Sequence, residues 1–333
     1  MKYLFILLII PILLLGCAKE EDSTTSTSPD SSSGSMSFSG KVAQGYVEGA
    51  KVFADLDGDG VRDSNESQDT TDSSGSYNLS ADAGSWTLIT SGGTFLDSQG
   101  NKLNALPMKA PAPSTSGATA NVTPLTSLVA ANPGLKTKLD ALGGDGWNTD
   151  IASSSGVPGK LLRVAQTVEQ AMKTLTTGDN AVLSSDASKL KTFNMLAAAF
   201  NKQENISSNE ALTAATQEGL INALNDSEVV TLSSAQEKIK GALVDAAKGA
   251  VEGVAAAISN TSDSVVEATV ASSLEAALDN ATSTVETAVS LASNPKYAKF
   301  CGGTSLTDNS SCPSIDNSSF LAVARFGYVV FSE

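Results

Sequence analysis

Near residue 120 the apolar side chains change their spacing, and that change constrains the fold more than any other feature of the sequence. Before it, residues 38–42, 50–54, 76–79 and 85–90 are short runs rich in β-branched and aromatic side chains, separated by clusters of Gly, Asp and Ser. Such runs predict strands joined by tight turns. After it, periodic segments predict helices over 124–131, 134–142, 158–177, 186–202, 208–225, 233–259 and 263–292, broken by Asn132-Pro133, Gly143-Gly144, Gly178 and polar clusters. The first helix has a clear start, because Thr123 can cap free N–H groups and Pro124 suits the first helical position. Val266, Val270, Leu274, Leu278, Ala281, Val285, Val289 and Ala292 form one stripe, and Ile239, Leu243, Ala246, Ala250, Val254 and Ala257 form another. Gly249 and Gly253 on the second of these helices would let a neighbouring backbone come close.

The expected fold class is therefore multidomain, all-β followed by all-α. A small N-terminal β-sandwich over 38–113 precedes an Ala-rich helical bundle over 120–293 and a short C-terminal disulfide and β segment over 294–333. A coiled coil is the alternative for the long helices, but the stripe lacks a Leu-rich a/d seam.

Between the second and third β-rich runs lies the densest chemistry. Asp55, Asp57, Asp59, Gly60 and Glu66 match the acidic calcium-loop pattern D-x-[DN]-x-[DN]-G-x5-E at each fixed position. Calcium takes six to eight oxygens, so Asp55, Asp57 and Asp59 suit it as ligands. The Val61 carbonyl, Asp63 directly or through water, and a bidentate Glu66 would complete the shell. Carboxylates crowded this closely repel one another unless a cation sits among them. The alternative is a solvated Asp/Gly turn. The loop follows a strand, and Arg62 stands where a paired helix–loop–helix site prefers an aliphatic residue.

Together with this loop, Gly40-Lys41-Val42, Gly49-Ala50-Lys51-Val52-Phe53, Thr70-Thr71-Asp72, Gly75 and Tyr77 resemble the prealbumin-like β-sandwich modules of bacterial surface proteins. These include carboxypeptidase-regulatory-like domains and the B-type repeats of Gram-positive adhesins. The resemblance covers about a fifth to a quarter of the chain, and implies a metal-stiffened spacer or binding module and not an enzyme.

Residues 1–16 read as an export signal, with Lys2 ahead of an apolar run shorter than the roughly 20 residues a spanning helix needs. Leu14-Leu15-Gly16-Cys17 resembles the lipobox of bacterial lipoproteins. That resemblance implies cleavage before Cys17, acylation of Cys17, and outer-membrane delivery, since no Asp follows it. Residues 17–37, mostly Ser, Thr and acid, read as a disordered tether. Cys301 and Cys312, the two remaining thiols of an exported chain, read as a disulfide.

A net charge of −15 disfavours nucleic acid as a partner. With no histidine, Ser-His-Asp and Cys-His machinery and His-built zinc sites are excluded. Nothing singles out a carboxylate pair for glycoside hydrolysis. Trp86 sits in a strand pattern and reads as core. Trp147, in an Asp/Gly-rich loop, reads as a hydrophobic plug, because as a sugar-stacking residue it stands alone. The expectation is a non-enzymatic, lipid-anchored outer-membrane protein with a calcium-stabilised module and a protein or glycan ligand at the cell surface. The alternative is a periplasm-facing accessory subunit of an envelope assembly, docking through an acidic helical face.

Overall fold

In a computed structural model that describes residues 34–97, 100–153, 156–176, 181–259 and 265–266, strands run from 35 to 111 and helices dominate the described residues after them. β1 (Ser35–Lys41) pairs antiparallel with β4 (Ser76–Asp82), setting Phe38 opposite Leu79. Tyr77, Leu79 and Ala81 of β4 are buried while their neighbours are more exposed, the alternation of a strand with one face on the core. β2 (Lys51–Asp55), β3 (Gln68–Thr70), β5 (Thr87–Ser91) and β8 (Lys109–Pro111) form a four-stranded antiparallel sheet in the order β3-β2-β5-β8. A hairpin of β6 (Thr94–Leu96) and β7 (Lys102–Asn104) stands beside it.

After β8 the chain returns along β1. Ala120 N–H donates to the Ser39 carbonyl at 2.9 Å and Val122 N–H to the Lys41 carbonyl at 2.8 Å. This approach requires Gly40, because a Cβ there would stand 1.9 Å from the Ala120 carbonyl oxygen. The chain then enters α1 (Pro124–Ala131) through the expected cap. Thr123 and Thr126 exchange side-chain-to-backbone hydrogen bonds, and Pro124 opens the helix.

Six further helical segments follow among the described residues: α2 (Leu135–Asp140), a 3-10 turn (Gly146–Asn148), α3 (Gly159–Thr176), α4 (Asp186–Lys202), α5 (Asn209–Asn225) and α6 (Ser234–Ser259). Ser185 and Ser208 cap α4 and α5, accepting from Ser188 N–H at 3.1 Å and Ala211 N–H at 3.2 Å. Leu243, Ala250 and Val254 of the expected α6 stripe are buried, and α6 packs against α3 and α5.

Two helical expectations are corrected. Gly249 is exposed, and a Cβ added there would meet no atom within 4 Å, so no described backbone approaches it. The close approach is at Gly219 of α5, where a Cβ would meet Leu196 Cα of α4 at 2.8 Å. Val265–Val266, at the start of the helix expected over 263–292, is instead a strand, β10, paired with β9 (Val157–Pro158). Two adjacent valines favour extended backbone, as does Val157 ahead of Pro158. The rest of that helix lies outside the described residues, as do the signal, Cys17, Cys301, Cys312 and the segment 294–333.

One hydrophobic cluster runs from Phe38, Val52 and Leu88 of the strands through Leu125, Leu161 and Phe193 to Leu243 and Val251 of the helices. No helix among the described residues is long and apolar enough to cross a membrane.

Candidate metal centre

β2 ends at Asp55, where the chain leaves the sheet for a twelve-residue turn over 56–67 before it rejoins at β3. Asp55 is 3% exposed, and its carboxylate is folded back into the turn. Its Oδ1 accepts from Gly58 N–H at 2.9 Å and its Oδ2 from Gly60 N–H at 3.2 Å. Both glycines are left-handed, at φ 82° and 77°, a conformation that brings those N–H groups inward and that other residues resist. Asp57 Oδ1 accepts from Asp59 N–H at 3.2 Å, and Asp59 Oδ1 from Val61 N–H at 2.7 Å.

The result is convergence. One carboxylate oxygen from each of Asp55, Asp57 and Asp59 lies within 4.8 Å of the other two. Oxygens that share one calcium, each about 2.3–2.6 Å from it, stand no more than about 5 Å apart, so this spacing fits a common shell. The donors are all hard oxygens, suited to calcium or magnesium and not to zinc or copper.

Glu66 is as buried as Asp55 but lies outside this group. Its Oε1 accepts from Leu56 N–H at 2.7 Å and its Oε2 from Asp63 N–H at 2.9 Å, so it laces the start of the turn to its end. Each oxygen keeps a lone pair, which leaves bidentate ligation chemically open. Asp63 and Val61 are exposed, and the Asp63 carbonyl accepts from Glu66 N–H at 3.2 Å. Arg62 turns back to donate to the Glu66 carbonyl at 3.4 Å. Of the residues the sequence picks out, the fold gathers the three aspartates, uses Glu66 as a brace and leaves Asp63 and Val61 at the rim.

Burial raises the Asp55 carboxyl above its ordinary pKa. The Gly58 and Gly60 N–H groups oppose the rise, and the charges of Glu66 and Asp57 add to it. A cation would relieve both burial and crowding.

The surroundings of the loop were not legible in sequence. Phe53, Ile89 and Lys109 are cross-strand neighbours on one face of the sheet. α4 lies over that face with residues spaced by four. Asp186 accepts from Ser91 Oγ at 3.1 Å, Leu190 packs on Phe53 and Ile89, and Asn194 accepts from Lys109 Nζ. Burial pushes the Lys109 ammonium down to about 8, against the pull of Asp55. The helical spacing of Asp186, Leu190 and Asn194 was readable, but nothing local named the sheet as their partner.

No protein-family model matches this chain, and no curated protein or solved structure matches it either.

Proposed function

We propose that this chain is a non-enzymatic, lipid-anchored protein of the bacterial cell envelope, acting at the cell surface as a binding or structural component. In this reading its strand region is a prealbumin-like β-sandwich stiffened by calcium, and its helices form an Ala-rich bundle. The observation that carries the reading is the convergence of Asp55, Asp57 and Asp59 on a loop held by its own backbone N–H groups. Asp55, Asp57 and Asp59 would hold the ion, with the Val61 carbonyl, Asp63 and Glu66 as the further ligands that the loop pattern offers. Calcium would supply charge neutralisation and rigidity, not catalysis. The lipobox-like Leu14-Leu15-Gly16-Cys17 supports the anchor, and the absence of histidine supports a non-enzymatic role.

The test is in two parts. Calorimetric titration of the purified chain should show one calcium per chain, lost in Asp57→Ala. Protease shaving of intact cells should remove the protein from its native, membrane-associated form, and Cys17→Ser should release it from membranes. A chain without calcium binding that resists shaving would overturn the reading.

A further inference from the structure

The two tryptophans, 61 positions apart in sequence, line one cleft of about 850 Å³ that opens beside the acidic loop. That volume lies in the range of small-ligand sites, roughly 300–1,000 Å³. Trp86 is held from behind. Its ring packs at 5.5 Å from the Phe38 ring, and its Nε1–H donates to the Asp82 carbonyl at 2.8 Å. Trp147 is half-buried on the 3-10 turn, with Lys136 Nζ 5.4 Å from its ring centroid. Taken singly, one reads as core and the other as a plug. Folding places both on one opening with different roles: Trp86, 8% exposed and part of the hydrophobic core, closes its floor, and half-buried Trp147 is its accessible aromatic wall.

Pro111 and Pro113 extend the flat apolar surface, and Leu56, 43% exposed, adds an aliphatic wall from the acidic loop. The hydroxyl residues Ser85, Thr87, Ser114 and Thr119 also line the cleft. Flat apolar walls set among hydroxyls match a pyranose ring, which presents C–H groups on its faces and hydroxyls around its rim.

Charge narrows the ligand further. Of the charged residues that line the cleft, Lys136 is engaged by Asp140 at 2.9 Å, the Asp55 carboxylate by Gly58 and Gly60, and the exposed Asp57 carboxylate by Asp59 N–H at 3.2 Å on the metal-loop side. Among the described residues, the cleft therefore presents no cation cluster for a phosphate or a carboxylate. An extended peptide is disfavoured as well. The sheet edge at β8 is covered by α1, because Lys109 N–H donates to Ser127 Oγ at 3.0 Å while Thr126 and Ser127 hydroxyls donate to the Lys109 carbonyl. Pro111 has no N–H to offer, so a strand cannot be added there.

We infer that this cleft binds a neutral oligosaccharide, with Trp147 as its stacking wall, Pro111, Pro113 and Leu56 as further apolar surface, and Trp86 as its buried floor. The inference deepens the surface-binding proposal and rests on it. Because the chain has only these two tryptophans, intrinsic fluorescence of Trp147 is read by comparison with the Trp147→Ala variant, whose remaining emission is that of Trp86. The purified chain, loaded with calcium, is titrated with neutral tetrasaccharides: β-1,4-linked glucose, β-1,4-linked N-acetylglucosamine and α-1,4-linked glucose. A saturable change in emission is expected with at least one, confirmed by calorimetry. Trp147→Ala should weaken that binding tenfold or more, and Ser114→Arg, a change at an exposed rim position, should weaken it comparably while circular dichroism stays unchanged. No saturable binding to any of the three, or binding unaffected by both variants, would overturn the assignment. So would a proline-rich peptide that binds where the sugars do not. Calcium stoichiometry, measured on the same sample, separates failure of the cleft assignment alone from failure of the metal-stiffened reading beneath it.

Discussion

Leu190 of α4 packs against Phe53 of β2, two residues before the first aspartate of the acidic loop. The contact continues into the loop itself, since a Cβ at Gly60 would stand 3.6 Å from Leu190 Cδ1. One wall of the candidate metal centre is therefore a helix from the second half of the chain. A second, larger hydrophobic cluster also joins strands to helices, so ordering of the loop is expected to act on the helical region.

That coupling sets the expected response to calcium. For a Kd of about 10 μM and about 1 mM free ion, linkage gives roughly 2.7 kcal/mol. In a folded unit of this size that is a rise of roughly 5–10 °C in Tm, seen in helical as well as strand signals. Magnesium should raise it less, because it demands tighter octahedral geometry. Asp57→Ala is the informative variant, since Asp57 is exposed and braces only Asp59 N–H. Asp55→Ala would also strip Gly58 and Gly60 of their buried acceptor. Scanning calorimetry of the full chain with calcium and with chelator checks this. Superimposable scans would reduce the loop to an acidic turn.

Much of the fold was legible, and the reason is periodicity. Helices expected over 124–131 and 186–202 are observed as Pro124–Ala131 and Asp186–Lys202, because Thr123 and Ser185 mark their starts chemically. The aspartate trio was legible because ligand spacing within one loop is local. What escaped is non-local. Glu66 reads as a closing ligand in sequence, yet both its oxygens hold backbone N–H groups of the turn. Lys109 carried no signal at all, because its partial burial depends on α4, 77 residues later, crossing the sheet. Gly249 and Gly219 look alike in sequence, and only the helix pairing tells them apart.

Those two glycines give a prediction of opposite signs. At Gly249 an added methyl meets nothing within 4 Å, so Gly249→Ala should stabilise the chain by up to about 1 kcal/mol through helix propensity. At Gly219 the methyl would meet Leu196 Cα and Cδ2 at 2.8 Å, so α4 and α5 must part, at a typical overpacking cost of about 1–3 kcal/mol. Urea midpoints of the two variants should fall on either side of the parent. If both lie on one side, the close approach of α4 and α5 is misplaced.

The cap of α1 gives another. Thr123 is fully buried, and its Oγ1 accepts from Thr126 N–H at 3.2 Å. Thr123→Ala should cost about 0.5–2 kcal/mol, toward the upper end because no water can replace the lost acceptor. Thr123→Ser keeps the oxygen and should recover most of the loss, as measured by thermal unfolding. Equal losses in both variants would assign the effect to the missing methyl group instead.

Lys109 gives a prediction in pH. Its folded pKa is about 8, lowered from 10.5 chiefly by burial, with Asp55 pulling the other way. Between those values the unfolded chain holds a proton that the folded chain does not. Stability should therefore rise with pH across that window. Below about pH 8 both states carry the proton, and the cost of keeping an ammonium under α4 is present in full. Above 10.5 neither carries it and the cost is gone. Lys109→Met keeps an apolar stem beside Ile89 and removes the titration, so this contribution to the rise should vanish while the chain gains stability at pH 7. Other lysines and tyrosines titrate at high pH, so the readout is the difference in urea midpoint between parent and variant, taken at pH 7.5 and pH 10. Chelator is kept present, because calcium beside Asp55 would add positive charge near Lys109 and move the window lower. A parent–variant difference that is the same at both pH values would place the Lys109 ammonium in water, and α4 would no longer cover this face of the sheet.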